Sequence, residues 1–334
     1  MGLTVAVTGP TGEIGLAVVA ALEASDEVDE ILGMARRPFD PADRGWAKTT
    51  YRQGDILDRD AVERLVADAD VVVHLAYLIM GSRERSRQIN LEGTRNVFEA
   101  TVAAERPTRL VYTSSVAAYG YHEDNPRPLT EDVPARGSDE HYYSAQKAEC
   151  EAVLHEITDG SDLEVYVLRP CIVAGPEATK LSDQMPWQQL TAALPEPLRR
   201  AASTVQNVLP LLPDPGVELQ LVHHDDVASA VALAATGAGT PGDYNLAGDG
   251  VITFADVARA TGTRSLPVPR AAARAASAVM AALPLMPAAA EWIHLGRVPV
   301  VMDTTRAKDL LGWRPEFSSA DTLASMTRAM VGPD

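Results

Sequence analysis

The first 170 residues alternate short, continuously apolar runs with stretches of helical periodicity. Leu3–Thr8, Ile31–Ala35, Thr49–Gln53, Val71–Ala76, Arg109–Thr113 and Leu163–Leu168 are predicted as strands. Helices are predicted at Glu13–Ala24, Asp58–Asp68 with Asp58 as its cap, within Glu84–Glu105, and at Tyr142–Thr158. Strands that are apolar on both faces and separated by helices belong in a parallel sheet covered on both sides. The expected class is therefore α/β, with a doubly wound parallel sheet. After Pro170 the rhythm breaks. Residues 176–218 and 237–334 are rich in Pro and Ala and are assigned mainly to a small, partly helical C-terminal domain. Residues 1–175 form the first domain, and pieces near 219–236 and 298–306 are expected to return to it.

Charge narrows the partners. Acids outnumber bases 46 to 29, giving a net charge of −17. Such a surface repels phosphate backbones and anionic lipid, so neither nucleic acid nor a membrane is an expected partner. Two cysteines, Cys150 and Cys171, are too few for a disulfide framework and have no zinc spacing. Cys171 reads as a small packing residue. His223 and His224, beside Asp225 and Asp226, suggest a metal, but a strand running into a helix capped by Asp226 is preferred, and no metal is expected. Ala275–Ala290 is uncharged, yet shorter than the roughly 20 residues that span a bilayer, and Pro284 and Pro287 interrupt it. The chain starts directly on a strand pattern without a basic and apolar leader, so a cytoplasmic location is expected.

Between the first strand and the first helix stands Val7-Thr8-Gly9-Pro10-Thr11-Gly12-Glu13-Ile14-Gly15. Gly9 permits a tight turn, Gly12 lets backbone approach a pyrophosphate, and Gly15 lets helix pack on strand. A helix N-terminus presents N–H groups and partial positive charge to phosphates. Thr11, Glu13 and Ile14 complete the candidate loop, which predicts a bound nucleotide.

The spacing Gly-x-x-Gly-x-x-Gly resembles the extended short-chain dehydrogenase/reductase superfamily, in its NAD-dependent epimerase/dehydratase-like branch. Other motifs carry the same resemblance: Gly54-Asp55-Ile56, His74-Leu75-Ala76, Asn90-Leu91-Glu92-Gly93-Thr94-Arg95-Asn96-Val97, and Tyr112-Thr113-Ser114-Ser115 running to Tyr119-Gly120. Tyr143-Ser144-Ala145-Gln146-Lys147 matches Tyr-x-x-x-Lys, Leu168-Arg169-Pro170 to Pro176 is similar to a nicotinamide-side motif, and Leu311-Gly312-Trp313-Arg314-Pro315 resembles a C-terminal signature. The resemblance is dense over residues 3–176 and sparse beyond. It implies a Rossmann-type first domain that binds NAD or NADP, and a second domain that holds a small-molecule substrate. Asp55 and Ile56 are the implied adenine contacts, while Leu75, Ala76 and Tyr77 lie beside the ribose. Thr113, Pro170 and Ile172 complete the cofactor set. Asn90 supports the lysine and cofactor. Ala117, Tyr119, Tyr77 and Met80 are cleft candidates that could equally be core.

Tyr143 and Lys147 are four apart on a predicted helix and share a face. A free tyrosine, with a pKa of about 10, is a poor base at neutral pH. Lowering it by about 3 units needs roughly 4 kcal/mol, within reach of two close cations in a dry cleft. Tyr143 is the expected acid/base, Ser115 the hydrogen-bond partner of the reacting oxygen, and Lys147 the neighbouring cation that also holds the nicotinamide ribose. Ser114 is the alternative serine, expected to point to the other side of the strand.

Two further readings concern cofactor and reaction. The second strand ends in Met34-Ala35-Arg36-Arg37-Pro38, with no carboxylate for a ribose 2′-OH and two guanidinium groups suited to a 2′-phosphate. NADP is preferred over NAD on that ground. Val116 and Ala117 stand where sugar-nucleotide dehydratases carry Asp-Glu, and Leu219 stands where epimerases usually place a diphosphate-binding arginine. Val208–Pro213 and Ala271–Ala290 are apolar as well. The expected reaction is hydride transfer between nicotinamide and an apolar carbonyl or alcohol. A sugar-nucleotide 4-epimerase using the same triad and a non-catalytic cofactor-binding regulator are the alternatives. Leu91, Val97, Phe98 and Val102 on the third helix, with Val153, Leu154 and Ile157 on the fourth, exceed what one sheet face covers, so a homodimer is expected.

Overall fold

The computed structural model describes residues 2–79, 82–176, 211–269 and 298–331. Six of the seven strands of its main sheet come from the first half of the chain: β1 (Leu3–Thr8), β2 (Val28–Ala35), β3 (Thr49–Gln53), β4 (Val71–His74), β5 (Arg109–Thr113) and β6 (Glu164–Pro170). The seventh is β11 (Gly242–Leu246), and all pair in parallel, in the order β11-β6-β5-β4-β1-β2-β3, with Val5 opposite Ile31 on one side and Val71 on the other. The sheet reverses direction of growth at β1, which makes it doubly wound and Rossmann-type.

Strand alternation divides the core. Val5, Val7, Val73 and Val111 face α1 (Glu13–Glu23) and α6 (His224–Ala235). Ala6, Val72 and Leu110 face α2 (Arg59–Val66), α4 (Thr94–Ala103) and α5 (Tyr142–Thr158). Asp58 caps α2 by accepting from the Ala61 N–H at 3.2 Å. The predicted third helix is interrupted: Ser82 caps α3 (Arg83–Arg87), and a π-helical turn over Gln88–Gly93 precedes α4. A Cβ on Gly93 would lie 2.6 Å from the Ile56 side chain, so glycine is what lets the turn close on β3's exit loop.

The seventh strand, β11, lies beside β6, with Tyr244 opposite Leu168. The sequence places this segment in the second domain because its apolar signal is broken. Asp243 and Asn245 are polar, and they face Arg169 and Tyr119 inside the protein. Of the piece near 298–306, Val298, Val300 and Met302 are buried and Met302 bridges Leu129, without adding a strand to the main sheet.

Three small pairings complete the described residues: β10 (Leu221–His223) with β7 (Ile172–Ala174), β9 (Glu218–Leu219) with β12 (Ile252–Thr253), and β8 (Leu211–Asp214) with β13 (Arg264–Pro267). The helices α7 (Phe254–Ala260), α8 (Thr305–Asp309) and α9 (Ser319–Val331) accompany them. Asp226 does not cap α6. The helix starts earlier, and the His223 ring accepts from the Asp225 N–H at 3.3 Å instead. Asp226, inside the first turn, accepts the N–H groups of Glu316 at 2.7 Å and Phe317 at 3.2 Å, while its carbonyl receives the buried Trp313 indole at 2.9 Å.

The excess apolar surface on α4 and α5 is smaller than the sequence suggests. Val97, Phe98 and Leu154 are fully buried against the sheet, leaving Leu91, Val102, Val153 and Ile157 half-buried. Among the described residues no helix is long and apolar enough to cross a membrane. Ala271–Ala290 and Val208–Pro210 lie outside those residues.

Candidate active site

The glycine loop is held by backbone. Gly9 adopts φ 76°, donates to Met34 O at 2.9 Å, and would place a Cβ 2.9 Å from Ala76 Cα. A Cβ on Gly15 would stand 2.1 Å from Gly9 O, so helix and turn approach more closely than any side chain permits. Gly12 differs: a Cβ there would meet only Gly9 O, at 3.4 Å. It is the N-cap of α1 and supplies no side-chain acceptor. Thr11, Glu13 and Ile14 around it are half-buried. An open glycine before an uncapped helix is the cradle a pyrophosphate requires, so these residues fit a dinucleotide.

At the tip of β2, Arg36 and Arg37 are exposed, and neither guanidinium forms an ion pair among the described residues. Their backbone is fixed instead. Gln53 Nε2 donates to Arg36 O at 2.8 Å, and the Tyr51 hydroxyl meets Ala35 O and Arg37 O. Asp55 turns back to accept from Leu57 N at 3.1 Å. Ile56 is buried against Gly93 and its carbonyl receives Asn96 at 3.0 Å, so its side chain belongs to the core.

The loop after β4 is set by two side chains. His74 is fully buried between Thr8 Oγ1 at 2.7 Å and Thr94 Oγ1 at 2.9 Å. Burial, then the Lys147 charge, push its pKa down to about 3, so the ring is neutral. Leu75 N donates to Thr8 O at 3.1 Å, and Ala76 N approaches Thr8 Oγ1 at 3.4 Å. Asn90, projected by the π-helical turn, accepts from Leu78 N at 2.7 Å and donates to Leu78 O at 3.0 Å and Gln146 Oε1 at 2.9 Å. The expected support of Lys147 is thus indirect: Asn90 grips the residue before it and the loop that carries Tyr77.

Lys147 is buried. Its Nζ donates to Thr113 O at 2.9 Å, approaches Tyr112 Oη at 3.4 Å, and lies 3.8 Å from the Tyr77 ring centre. Burial lowers its pKa to about 8, against the raising effect of Cys150 and Glu151. Tyr143, half-buried one turn earlier, sets its ring edge-on to Tyr77 at 5.6 Å and to His141 at 6.3 Å. Ser115 accepts from Ala117 N at 3.2 Å just beyond β5. Ser114 is turned away: its hydroxyl donates to Glu151 Oε1. Tyr77, Lys147, Tyr143 and the Thr113–Ser115 end of β5 therefore share one corner. Thr113 Oγ1 and Tyr77 Oη are buried there with no hydrogen-bond partner among the described residues.

Pro170 ends β6 opposite Leu246, and Ile172 opens β7, half-buried. Between them, burial pushes the Cys171 thiol far up, as expected of a packing residue. Tyr119 is core rather than cleft: fully buried, it donates to Asn245 Oδ1 at 2.7 Å and accepts from Arg169 at 3.0 Å. Ala117 is buried too, and Met80 lies outside the described residues. His223, His224 and Asp225 do cluster, but His223 Nδ1 accepts from Asp225 N and its Nε2 meets Ser325 at 3.3 Å, while His224 Nδ1 meets Asp225 at 2.8 Å.

The sequence reading misses one group, Arg169 with Glu151. Arg169 Nη2 reaches Glu151 at 2.7 Å and Asp243 at 2.6 Å, with both members of the first pair almost wholly buried. The signal available is spacing: Glu151 continues the Tyr143–Lys147 face by one more turn.

The family model of the NAD-dependent epimerase/dehydratase family matches residues 5–247. This chain belongs to that family. Its architecture is that of the extended short-chain dehydrogenase/reductases. An uncharacterized protein of Mycobacterium tuberculosis is 27% identical over 332 residues, covering 99% of this chain and 30% of the relative. The chain thus spans less than a third of that relative's length. A short-chain dehydrogenase/reductase superfamily protein from Agrobacterium tumefaciens with bound NAD is similar in structure, with TM-score 0.71, 21% identity, and coverage of 98% of this chain and 97% of that one. So is a UDP-glucuronic acid 4-epimerase from Bacillus cereus, in complex with NAD, with TM-score 0.72, 17% identity, and coverage of 98% and 99%.

Proposed function

We propose that this family member is a nicotinamide-dependent oxidoreductase that interconverts a small, weakly polar carbonyl compound and its alcohol. The observation that carries the reading is the Lys147 ammonium, held in a dry corner by Thr113 O one helical turn from Tyr143. A cation there favours the phenolate over the phenol and lets Tyr143 take or return a proton at its hydroxyl. Ser115 orients the oxygen that exchanges that proton. The glycine cradle and α1 would hold the dinucleotide, with Thr113 and Tyr77 as further contacts. When bound, the cofactor accepts or supplies the hydride. The solved structures with NAD support a dinucleotide of that class, while a preference for NADP rests on Arg36 and Arg37 alone.

Leu219 favours the reductase reading over the epimerase one. It is buried in an apolar cluster with Leu221, Ile252 and Leu323, none of which offers a diphosphate a cation. An unpaired diphosphate in such surroundings costs several kcal/mol. Arg297 is one of several cations that lie outside the described residues. The deciding measurement is calorimetry of UDP, TDP and sugar nucleotides on the cofactor-loaded protein, beside NAD(P)H oxidation with a panel of apolar ketones and aldehydes. Carbonyl-dependent oxidation that Tyr143→Phe lowers at least about 100-fold, with cofactor binding retained, is expected. Saturable sugar-nucleotide binding tighter than about 100 μM, roughly 5.5 kcal/mol, would give the site to the epimerase.

A further inference from the structure

Most of the described groups around Lys147 carry no charge. From β4, His74 is neutral. From β5 and the loop after β4, Tyr112 and Tyr77 are held well above the usual tyrosine range, chiefly by burial. On α5 itself, burial pushes Cys150 up to about 11, which leaves a neutral thiol, and Tyr143 stands one turn before. Asn90 and Gln146 are amides. Among the described residues that leaves Glu151, four positions beyond Lys147, as the one carboxylate on this face.

Glu151 is held from three sides. Arg169 donates Nε to Oε1 at 3.1 Å and Nη2 to Oε2 at 2.7 Å, and Ser114 donates its hydroxyl to Oε1. Arg169 is itself fixed by Asp243 and by Tyr119, over whose ring it lies at 4.8 Å. Two successive turns of α5 therefore grip two successive residues at the end of β5: Lys147 takes Thr113 O, and Glu151 takes Ser114. The next residue, Ser115, is left with its hydroxyl on the following turn.

We propose that Glu151 is a positioning residue of the active site, acting through Lys147: fixed by Arg169 and Ser114, its carboxylate keeps the buried ammonium charged and α5 in register with the serine strand. The idea rests on the catalytic reading of Lys147 above. Removing the carboxylate takes away one of the groups that oppose burial, so Lys147 gives up its proton at lower pH. The raising effect of Glu151 on Lys147 agrees in sign.

The test needs no substrate, so a failed assay for the oxidoreductase reaction leaves it intact. The chain has four lysines, Lys48, Lys147, Lys180 and Lys308. In the 334-residue chain labelled with 13C at lysine Cε, the Lys147 resonance is the one missing from Lys147→Arg, and it is followed by NMR as pH rises. The wild-type midpoint is expected at about 8. Glu151→Gln should lower it by about one pH unit, a tenfold change in proton affinity. Glu151→Asp, which keeps the charge, should restore most of that loss. Should Glu151→Gln fail to fold, the double variant Glu151→Gln/Arg169→Met removes both buried charges, a change often tolerated, and predicts the same direction. A midpoint within about 0.3 pH unit of wild type in the folded variant would overturn the proposal.

Discussion

The Lys147 ammonium lies 3.8 Å from the centre of the Tyr77 ring, while the Tyr77 hydroxyl has no partner among the described residues. Ring and hydroxyl thus act oppositely on stability. Contact with a desolvated cation contributes about 2 kcal/mol, and a buried unpaired hydroxyl costs about 1–3 kcal/mol. Tyr77→Phe should therefore melt at or above the wild-type temperature. Tyr77→Leu, which removes the ring, should melt lower. Thermal unfolding of the two variants in parallel decides the point, and equal destabilisation would refute the division of roles.

The glycine loop makes a second pair of variants informative. Gly15→Ala forces a methyl to 2.1 Å from Gly9 O and should destabilise the fold by several kcal/mol, in the range of overpacked cores, about 1–3 or more. Gly12→Ala meets nothing closer than 3.4 Å and should keep its stability while losing dinucleotide affinity at least about tenfold, because the methyl occupies the phosphate approach. Denaturant melts and fluorescence titration with NADH measure the two effects. Full affinity in Gly12→Ala would place the phosphates elsewhere.

Replacing both Arg36 and Arg37 by alanine should weaken NADP and leave NAD within about threefold, since only a 2′-phosphate pairs with guanidinium. Their backbone is tied by Gln53 and Tyr51, so the tip of β2 should survive the change. Titration of both cofactors separates the cases, and equal losses would show that the arginines do not select.

The homodimer expected from the sequence can be tested at α4, the turn before it, and α5. Leu91, Val102, Val153 and Ile157 are half-buried there, flanked by the Arg87–Glu149 and Arg95–Glu156 pairs. We expect a two-fold dimer through these helices. Light scattering at micromolar concentration should give twice the chain mass, and Val153→Glu with Ile157→Glu should return it to the monomer. A wild-type monomer would remove the dimer.

Much of this was within reach of the sequence, for reasons particular residues make plain. β1, β3, β5 and α5 have the bounds expected from the sequence, and in β1 and β5 the reason is a continuous run of buried residues. β11 is hidden because Asp243 and Asn245 turn inward to Arg169 and Tyr119, a polar pairing that hydrophobic alternation cannot register. The π-helical turn escapes for a similar reason: it exists to bring Asn90 onto Leu78 and Gln146, contacts remote in sequence. Tyr119, open in the sequence between cleft and core, is core, and the side chain of Ile56, an implied adenine contact, is buried, since a motif carries position and not direction.

The place of β11 in the sheet has a consequence for the chain as it is made. β6 is an interior strand only once β11 lies beside it, and the whole 171–241 segment must be synthesised first. The same interval supplies α6, which covers Val5, Val7 and Val73. At about 5–20 residues per second, the half-made sheet waits for several seconds with an open edge and a valine face covered only by α1. During that wait it resembles the template that any neighbouring strand will join. The nascent chain is therefore most exposed to aggregation while residues 171–241 are being made, at a stage when Tyr143 and Lys147 have already been added.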